Sequence, residues 1–354
     1  MKGAINVKNV LHGIEMKKSS APTLEDVARM AGVSTASISR ALNDPDKVAK
    51  PTRERIQLAI DALGYTPNFG GKALASNRTN TVGAIIPSMA NAMFASGLQA
   101  FQEVMSEAGV NLLVASTGYD PEHELRQIKS LIAHGAGGLL LIGNDRPDDT
   151  WQFLQKRRVS CVMSWCFRPS SNFLYVGFDN RRAAYEATLR VLALGHRRIA
   201  MICGIMQNND RARDRYDGAR AAVVDFGQSA EIVDMSEAKY RLEFGAEAFG
   251  EIMARGTSPT AIICGNDVLA AGALMRARDM GIAVPDDISL VGFDDIGLAS
   301  VVTPPLTTVR VPQIAMGRGA AQLLLAQLAG GETPSSVELQ TEFIFRASLA
   351  APKG

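Results

Sequence analysis

The chain is short of the residues that staple, ligate metals or cross membranes. Among 354 residues there are four cysteines and four histidines. Cys161, Cys166, Cys203 and Cys264 form no C-x-x-C pair, and none stands near a histidine at metal-ligand spacing. Three of the four lie in or beside apolar runs, so they read as buried free thiols suited to a reducing cytosol. No stretch approaches ~18 uncharged apolar residues, which excludes a membrane-spanning helix. Residues 1–15 lack the apolar core of a secretory signal, and Lys17-Lys18 follow that stretch instead of leading it. Motifs for catalysis are missing too. There is no G-x-S-x-G, no G-x-x-x-x-G-K-[ST] and no H-E-x-x-H. Gly135-Ala136-Gly137-Gly138 reads as a strand-entry turn, not a phosphate loop. The expectation is a protein that is not an enzyme and holds no cofactor or metal.

Net charge is also nearly absent, at +1 overall, but its distribution is uneven. Residues 1–78 carry 12 Lys+Arg against 7 Asp+Glu, and the remainder carries 25 against 29. A basic N-terminal segment on a mildly acidic body is the asymmetry expected when one domain meets phosphates and the other does not. The 47% hydrophobic composition is enough to fill real cores, and the length allows two or three domains.

What is present begins at residues 23–44, two short helices around a tight turn. Thr23 reads as an N-cap with Asp26 three residues on. Leu24, Val27, Ala28 and Ala31 fall on one helical face. Gly32 ends that helix and Ser34 caps the next, in which Ile38, Ala41 and Leu42 form an apolar stripe. Thr35, Ala36, Ser39 and Arg40 lie outside the stripe. Small polar residues opening the second helix suit entry into a major groove ~12 Å wide. The plainer alternative is a helical hairpin that merely packs. A third helix follows from about Pro51 to Leu63, with Ile56, Ala59, Ile60 and Leu63 on one face and Gly64 at its end. Arg53 and Arg55 read either as phosphate contacts or as solvated charges.

From Thr81 the pattern alternates. Apolar runs at Thr81–Pro87, Val110–Ala115, Gly138–Ile142, Val159–Met163, Ile199–Cys203, Ala261–Cys264 and Ile288–Gly292 read as strands. Amphipathic stretches at 91–108, 121–133, 181–193, 212–227, 241–254 and 266–280 read as helices. Nearly all-apolar strands each followed by a helix mean parallel sheets covered on both faces. The fold class is therefore an all-α helix-turn-helix headpiece followed by α/β, with two doubly wound lobes. Ligands of such sheets bind beyond the carboxyl ends of the strands.

The stretch T-L-x-D-V-A-x-x-A-G-V-S-x-x-x-I-S-R-x-L-N resembles the DNA-binding headpiece of the LacI/GalR family of bacterial transcription regulators. The resemblance extends over roughly residues 22–350. It implies a flexible leader at 1–20, a headpiece at 21–66, a hinge at 67–80 and a sensor of periplasmic-binding-protein type at 81–350. Its two lobes would be discontinuous, about 80–179 with 312–340, and 180–311 with 341–350. The resemblance implies DNA contacts from Thr23, Ser34, Thr35, Ala36, Ser37, Arg40, Asn43 and Arg53. In the hinge it places Leu74 as a minor-groove wedge and Lys72 where the family usually has Arg, while Gly70-Gly71 depart from the pattern.

In the sensor it implies effector contacts from Phe94, Asp179, Arg211, Arg215, Tyr240, Asn266 and Asp294. Phe94, in Asn91-Ala92-Met93-Phe94, reads equally as core, and Asp179 equally as a helix cap. Asp267 reads as a charge at a helix N-terminus. Arg215 matches an Arg that forks onto ligand hydroxyls or a carboxylate, and Asp294 an Asp that faces it to clamp a polyol. The implied protein is a cytoplasmic repressor, a homodimer or dimer of dimers on double-stranded operator DNA. A small polar effector, a sugar, sugar acid or related carbohydrate-like metabolite, would control it.

Overall fold

A computed structural model describes residues 22–66, 79–90, 92–168, 173–227, 229–330 and 334–353. The chain divides into two compact units, residues 1–77 and 78–354. The hinge residues Gly70, Gly71, Lys72 and Leu74, the leader and Asn91 lie outside the described residues.

In the first unit, α1 (Leu24–Ala31) starts from a capping box in which the Thr23 hydroxyl accepts the Asp26 N–H and Asp26 accepts the Thr23 N–H. Gly32 ends it in the left-handed conformation, φ 64°, which glycine adopts at no steric cost. Ser34 caps α2 (Thr35–Asn43), accepting the Ser37 N–H at 3.2 Å. In α3 (Lys50–Leu63) Pro51 occupies the first turn, where its missing N–H costs nothing, and Gly64 is the left-handed cap. Val27, Ala28, Ala31, Ile38, Ile56 and Ala59 bury together, the three apolar stripes meeting in one small core.

The second unit runs β1 (Thr81–Ile86), α4 (Ala92–Glu107), β2 (Asn111–Ser116), α5 (Pro121–Ala133), β3 (Gly138–Ile142), α6 (Asp148–Arg157), β4 (Ser160–Ser164) and β5 (Leu174–Gly177). There follow α7 (Asn180–Ala193), β6 (Arg198–Gly204), α8 (Asp210–Phe226), β7 (Glu231–Ala238), α9 (Leu242–Ala254), β8 (Ala261–Cys264), α10 (Asp267–Asp279) and β9 (Ser289–Val291). The chain closes with α11 (Gly297–Val301), β10 (Thr308–Arg310), α12 (Gln313–Ala329), β11 (Val337–Glu338) and β12 (Glu342–Ile344). One sheet has the order β11-β5-β4-β3-β1-β2 and the other β7-β6-β8-β9, and every pairing within them is parallel. Each sheet carries apolar clusters on both faces, as parallel sheets covered by helices on both sides require.

Several features differ from the sequence expectation. The strands β7, β10 and β11 and the helices α6, α11 and α12 lie outside the runs read from the sequence. In the C-terminal segment expected to join the second lobe, 341–350, the strand β12 pairs antiparallel with β10 in a separate ribbon. Beyond it, Ser348 bonds to Leu290 beside the second sheet. After crossing from β10, α12 packs back on α4, β4 and β5, the elements of the first sheet. Its Gly317 lies against the backbone of Gly97 on α4, and a Cβ there would collide with the Gly97 carbonyl. These crossings put the carboxyl ends of both parallel sheets on either side of one cleft.

Candidate DNA-reading surface and inter-lobe cleft

In the headpiece, the α2 stripe led by Ile38 faces the core and leaves Thr35, Ala36, Ser39 and Arg40 exposed. Ser34 and Ser37 share a hydroxyl contact of 3.0 Å that organises the first turn of α2. Thr23 is engaged in its capping box. Arg53 is half-exposed and donates to the Pro45 carbonyl at 3.2 Å, with Asp46 at 3.6 Å. The Asn43 backbone ends α2, and its side chain lies outside the described residues.

In the cleft, Arg215 projects from the early turns of α8 and is buried. Its Nε donates to Asn180 Oδ1 at 2.9 Å, Nη1 to the Gly265 carbonyl at 2.6 Å, and Nη2 to Asp294 Oδ1 at 3.4 Å. The guanidinium lies 3.7 Å from the centroid of Phe293, a cation–π contact in a desolvated place. Asp294 follows β9 with φ 107°, a backbone conformation that side chains seldom adopt and that persists only where its surroundings enforce it. Burial pushes the Asp294 carboxyl up to about 6, against the pull of Arg215.

Asp267 does start α10, yet its carboxylate does not act as a free helix-terminal charge. It accepts the Thr308 hydroxyl at 2.5 Å and the Ile296 N–H at 2.9 Å. Burial, with Asp294 adding repulsion, raises it to about 8. Asn266 caps α10 by accepting the Leu269 N–H, and its buried Nδ2 has no partner among the described residues.

The first turns of α8 reach from the second lobe to the first. Asp210 accepts the Asn144 N–H at 2.7 Å and the Arg211 Nη1 at 2.8 Å. Arg211 lies over Gly143, where φ is 75° and a Cβ would strike its guanidinium. Arg213 meets Asp145 at 2.8 Å, and Arg168 meets Asp214 at 2.8 Å. Tyr240 sits against Gly204, with its hydroxyl 3.4 Å from Asn209 Nδ2. Its ring centroid lies 6.2 Å from that of Tyr119 on the opposite lobe. Arg211 and Tyr119 line one pocket with Thr117, Glu124, Asp145 and Asn208.

The structure thus brings Arg211, Arg215, Tyr240 and Asp294 to the cleft, while Asn266, next to the Gly265 that Arg215 holds, caps α10. Phe94 is buried in the first lobe, edge-on to Trp165 at 5.5 Å. Asp179 caps α7, accepting the Arg182 N–H at 2.9 Å. Sequence reasoning missed Asn180, Tyr119, Asp145 and Asp210. Asn180 was within reach, because it adjoins the flagged Asp179. Asp145 and Asp210 act across the cleft and carry no local signal. Among the described residues no group of three or more His, Cys, Asp or Glu is arranged to hold a metal ion, and no helix is long and apolar enough to cross a membrane. The four cysteines are buried and free.

Comparison with known proteins agrees with both units. Residues 23–68 match the model for bacterial regulatory proteins of the lacI family, and residues 189–349 match a periplasmic binding protein-like domain. The HTH-type transcriptional repressor CytR of Escherichia coli K12 is 32% identical over 336 residues, covering 95% of this chain and 98% of that protein. A LacI-family regulator from Silicibacter pomeroyi has a crystal structure similar with a TM-score of 0.85 at 29% identity, covering 93% of this chain and 99% of that one. The lac repressor dimer bound to operator and the anti-inducer ONPF is similar with a TM-score of 0.81 at 25% identity, covering 93% and 99%. These relatives are transcriptional regulators, not enzymes. A helix-turn-helix with an open reading face, joined to paired parallel-sheet lobes, completes the case, and the chain belongs to the LacI family of bacterial DNA-binding transcription regulators.

Proposed function

We propose that the chain is a cytoplasmic repressor that binds a near-palindromic operator as a homodimer or dimer of dimers. Its DNA affinity is set by a small, polar, carbohydrate-like effector in the inter-lobe cleft. The observation that carries the effector reading is the buried Arg215–Asp294 pair at the carboxyl ends of the strands, where open parallel sheets take their ligands. A guanidinium and a carboxylate side by side satisfy both the acceptors and the donors of a hydroxylated molecule. Contacts such as Asp210 to Asn144 and Arg213 to Asp145 support a cleft whose opening is coupled to what it holds.

The DNA reading rests on α2, whose Thr35, Ala36 and Arg40 remain exposed while Ile38 anchors the helix. The lac repressor structure contains a dimer on operator, and two-fold symmetry of that kind would give this protein a symmetric site with two half-sites. Lys72 and Leu74 would add minor-groove contacts from the hinge.

A gel shift on the DNA upstream of the protein's own gene, with and without fractionated metabolites, tests the whole reading. Specific retardation relieved or strengthened by a metabolite fraction supports it. Equal binding to scrambled duplex overturns the operator assignment.

A further inference from the structure

Tyr119 and Tyr240 come from opposite lobes and face each other, with centroids 6.2 Å apart and planes 44° from parallel. Tyr119 sits in the turn between β2 and α5 at φ 66°, directly after Gly118 at φ 65°. A bulky side chain in the left-handed region is a genuine outlier, and such strain clusters at ligand clamps. The surroundings hold it there. The Tyr119 N–H donates to Thr117 Oγ1 at 3.3 Å, and the Gly118 N–H donates to the Pro87 carbonyl at 2.8 Å. Asn208, from the other lobe, reaches the Tyr119 carbonyl at 3.5 Å.

Four guanidiniums around these rings are already matched. Arg211 meets Asp210, Arg213 meets Asp145, Arg168 meets Asp214, and Arg215 meets Asp294. On the first lobe Glu124 is held by Arg146 at 2.9 Å. A carboxylate or phosphate entering here would have to take a guanidinium from its partner and leave a carboxylate stranded, which costs more than it returns. An ammonium group would face the same obstacle at Glu124. Burial raises the phenol pKa of both tyrosines, so they stay neutral hydroxyls.

We infer that Tyr119 and Tyr240 are the jaws of the effector cleft, and that they take an uncharged, hydroxyl-bearing ring, a nucleoside or a cyclic sugar, in preference to a sugar acid or phosphate ester. The inference rests on the effector reading above and narrows it. A ring sandwiched between two aromatic faces needs about 7–8 Å from face to face, twice a carbon–carbon contact. The jaws are thus closed by only about 1–2 Å beyond a sandwich, a gap that a small lobe rotation supplies.

The test uses the full-length protein and paired probes. Nucleosides are set against their 5′-monophosphates, and hexopyranoses against their 6-phosphates and uronates, by thermal shift and calorimetry. The expected result is that a neutral member binds at least about tenfold more tightly than its charged partner. Which pair responds separates a nucleoside from a sugar. Tyr119→Ala then weakens that probe about tenfold or more, while Tyr119→Phe stays within about threefold. Upfield ring-current shifts of the bound probe's protons should diminish in Tyr119→Ala and persist in Tyr119→Phe, which a merely structural role would not produce. A charged member binding as tightly as its neutral partner overturns the inference and leaves the effector reading standing. Full affinity and unchanged shifts in Tyr119→Ala also overturn it. Failure of every probe to bind the unaltered protein overturns the effector reading and this inference together.

Discussion

Asp267 accepts the backbone N–H of Ile296 at 2.9 Å, and this bond ties the first turn of α10 to the loop that carries Asp294. The same carboxylate accepts the Thr308 hydroxyl from β10, so one buried side chain joins three segments at the cleft. Both bonds favour the ionised form, yet burial outweighs them and raises the group to about 8.

A pH dependence of stability follows from this raised value. The unfolded chain releases the Asp267 proton near 3.8, whereas the folded protein keeps it to about pH 8. The folded state therefore binds more protons across that window, and its stability falls as pH rises through it. Asp294, raised to about 6, adds to the fall in the lower half of the window. Asp267→Asn keeps an acceptor for Ile296 and removes the titration. Urea unfolding of residues 78–354 at pH 5 and pH 8 should show a smaller loss of stability in Asp267→Asn than in the unaltered domain. An equal or steeper loss in the variant would contradict the assignment.

Arg215 and Asp294 form a buried pair, so removing either leaves the other uncompensated. Arg215→Ala and Asp294→Ala should each lower unfolding free energy by about 3–5 kcal/mol. The double variant should lose less than the two single losses together, because the stranded charge is gone. Arg215→Lys should not restore the wild-type value, since an ammonium cannot reproduce the fork to Asn180, Gly265 and Asp294. Denaturant titration of the four proteins decides this, and additive losses would place the two residues in separate roles.

Gly143 gives a handle on cleft closure. Its φ of 75° favours glycine, and an added methyl would strike Arg211. Gly143→Ala should cost about 1–2 kcal/mol from the left-handed backbone alone and push α8 away from the first lobe. Small-angle scattering of residues 78–354 should then give a larger radius of gyration, and effector binding should weaken. An unchanged radius would mean that Arg211 swings aside without parting the lobes.

Much of this architecture is legible in the sequence because buried parallel strands leave a dense apolar signal. Gly138–Ile142 and Ala261–Cys264 coincide with strands β3 and β8 to the residue. The edge strand β7 escapes because Glu231-Ile232-Val233-Asp234-Met235-Ser236-Glu237-Ala238 is only half-buried and carries three acids. The helix α6 escapes because its ten residues are mostly polar, with Thr150 and Leu154 its buried members. The buried pair is legible because Arg215-Tyr216-Asp217-Gly218 resembles a family motif and Asp294 directly follows the run Leu290-Val291-Gly292-Phe293. Tyr119 is not, because Gly118-Tyr119-Asp120-Pro121 reads as a turn, and only the fold brings it to Tyr240. Asp267 was legible as a helix start, but the destination of its carboxylate depends on a loop and a strand much further along the chain.

The headpiece carries the last prediction. Ile38 is fully buried, which fixes the rotation of α2 and leaves Arg40 on its outer side with Thr35 and Ala36. A guanidinium so placed can fork onto the O6 and N7 of a guanine, worth about 1–3 kcal/mol of discrimination. Arg53 differs. It is tied to the Pro45 carbonyl and to Asp46 at the start of α3, a position suited to a phosphate and not to a base edge. Arg40→Ala should therefore erase one base preference in each half-site while other positions keep theirs. Arg53→Ala should weaken all duplexes alike and lower the salt dependence of binding by about one counterion per subunit. Binding-site selection from a randomised duplex pool, followed by titrations at several salt concentrations, separates the two. If Arg40→Ala lowers every affinity uniformly, Arg40 contacts only phosphate, and base reading must come from Thr35 and Ala36 at the opening of the helix.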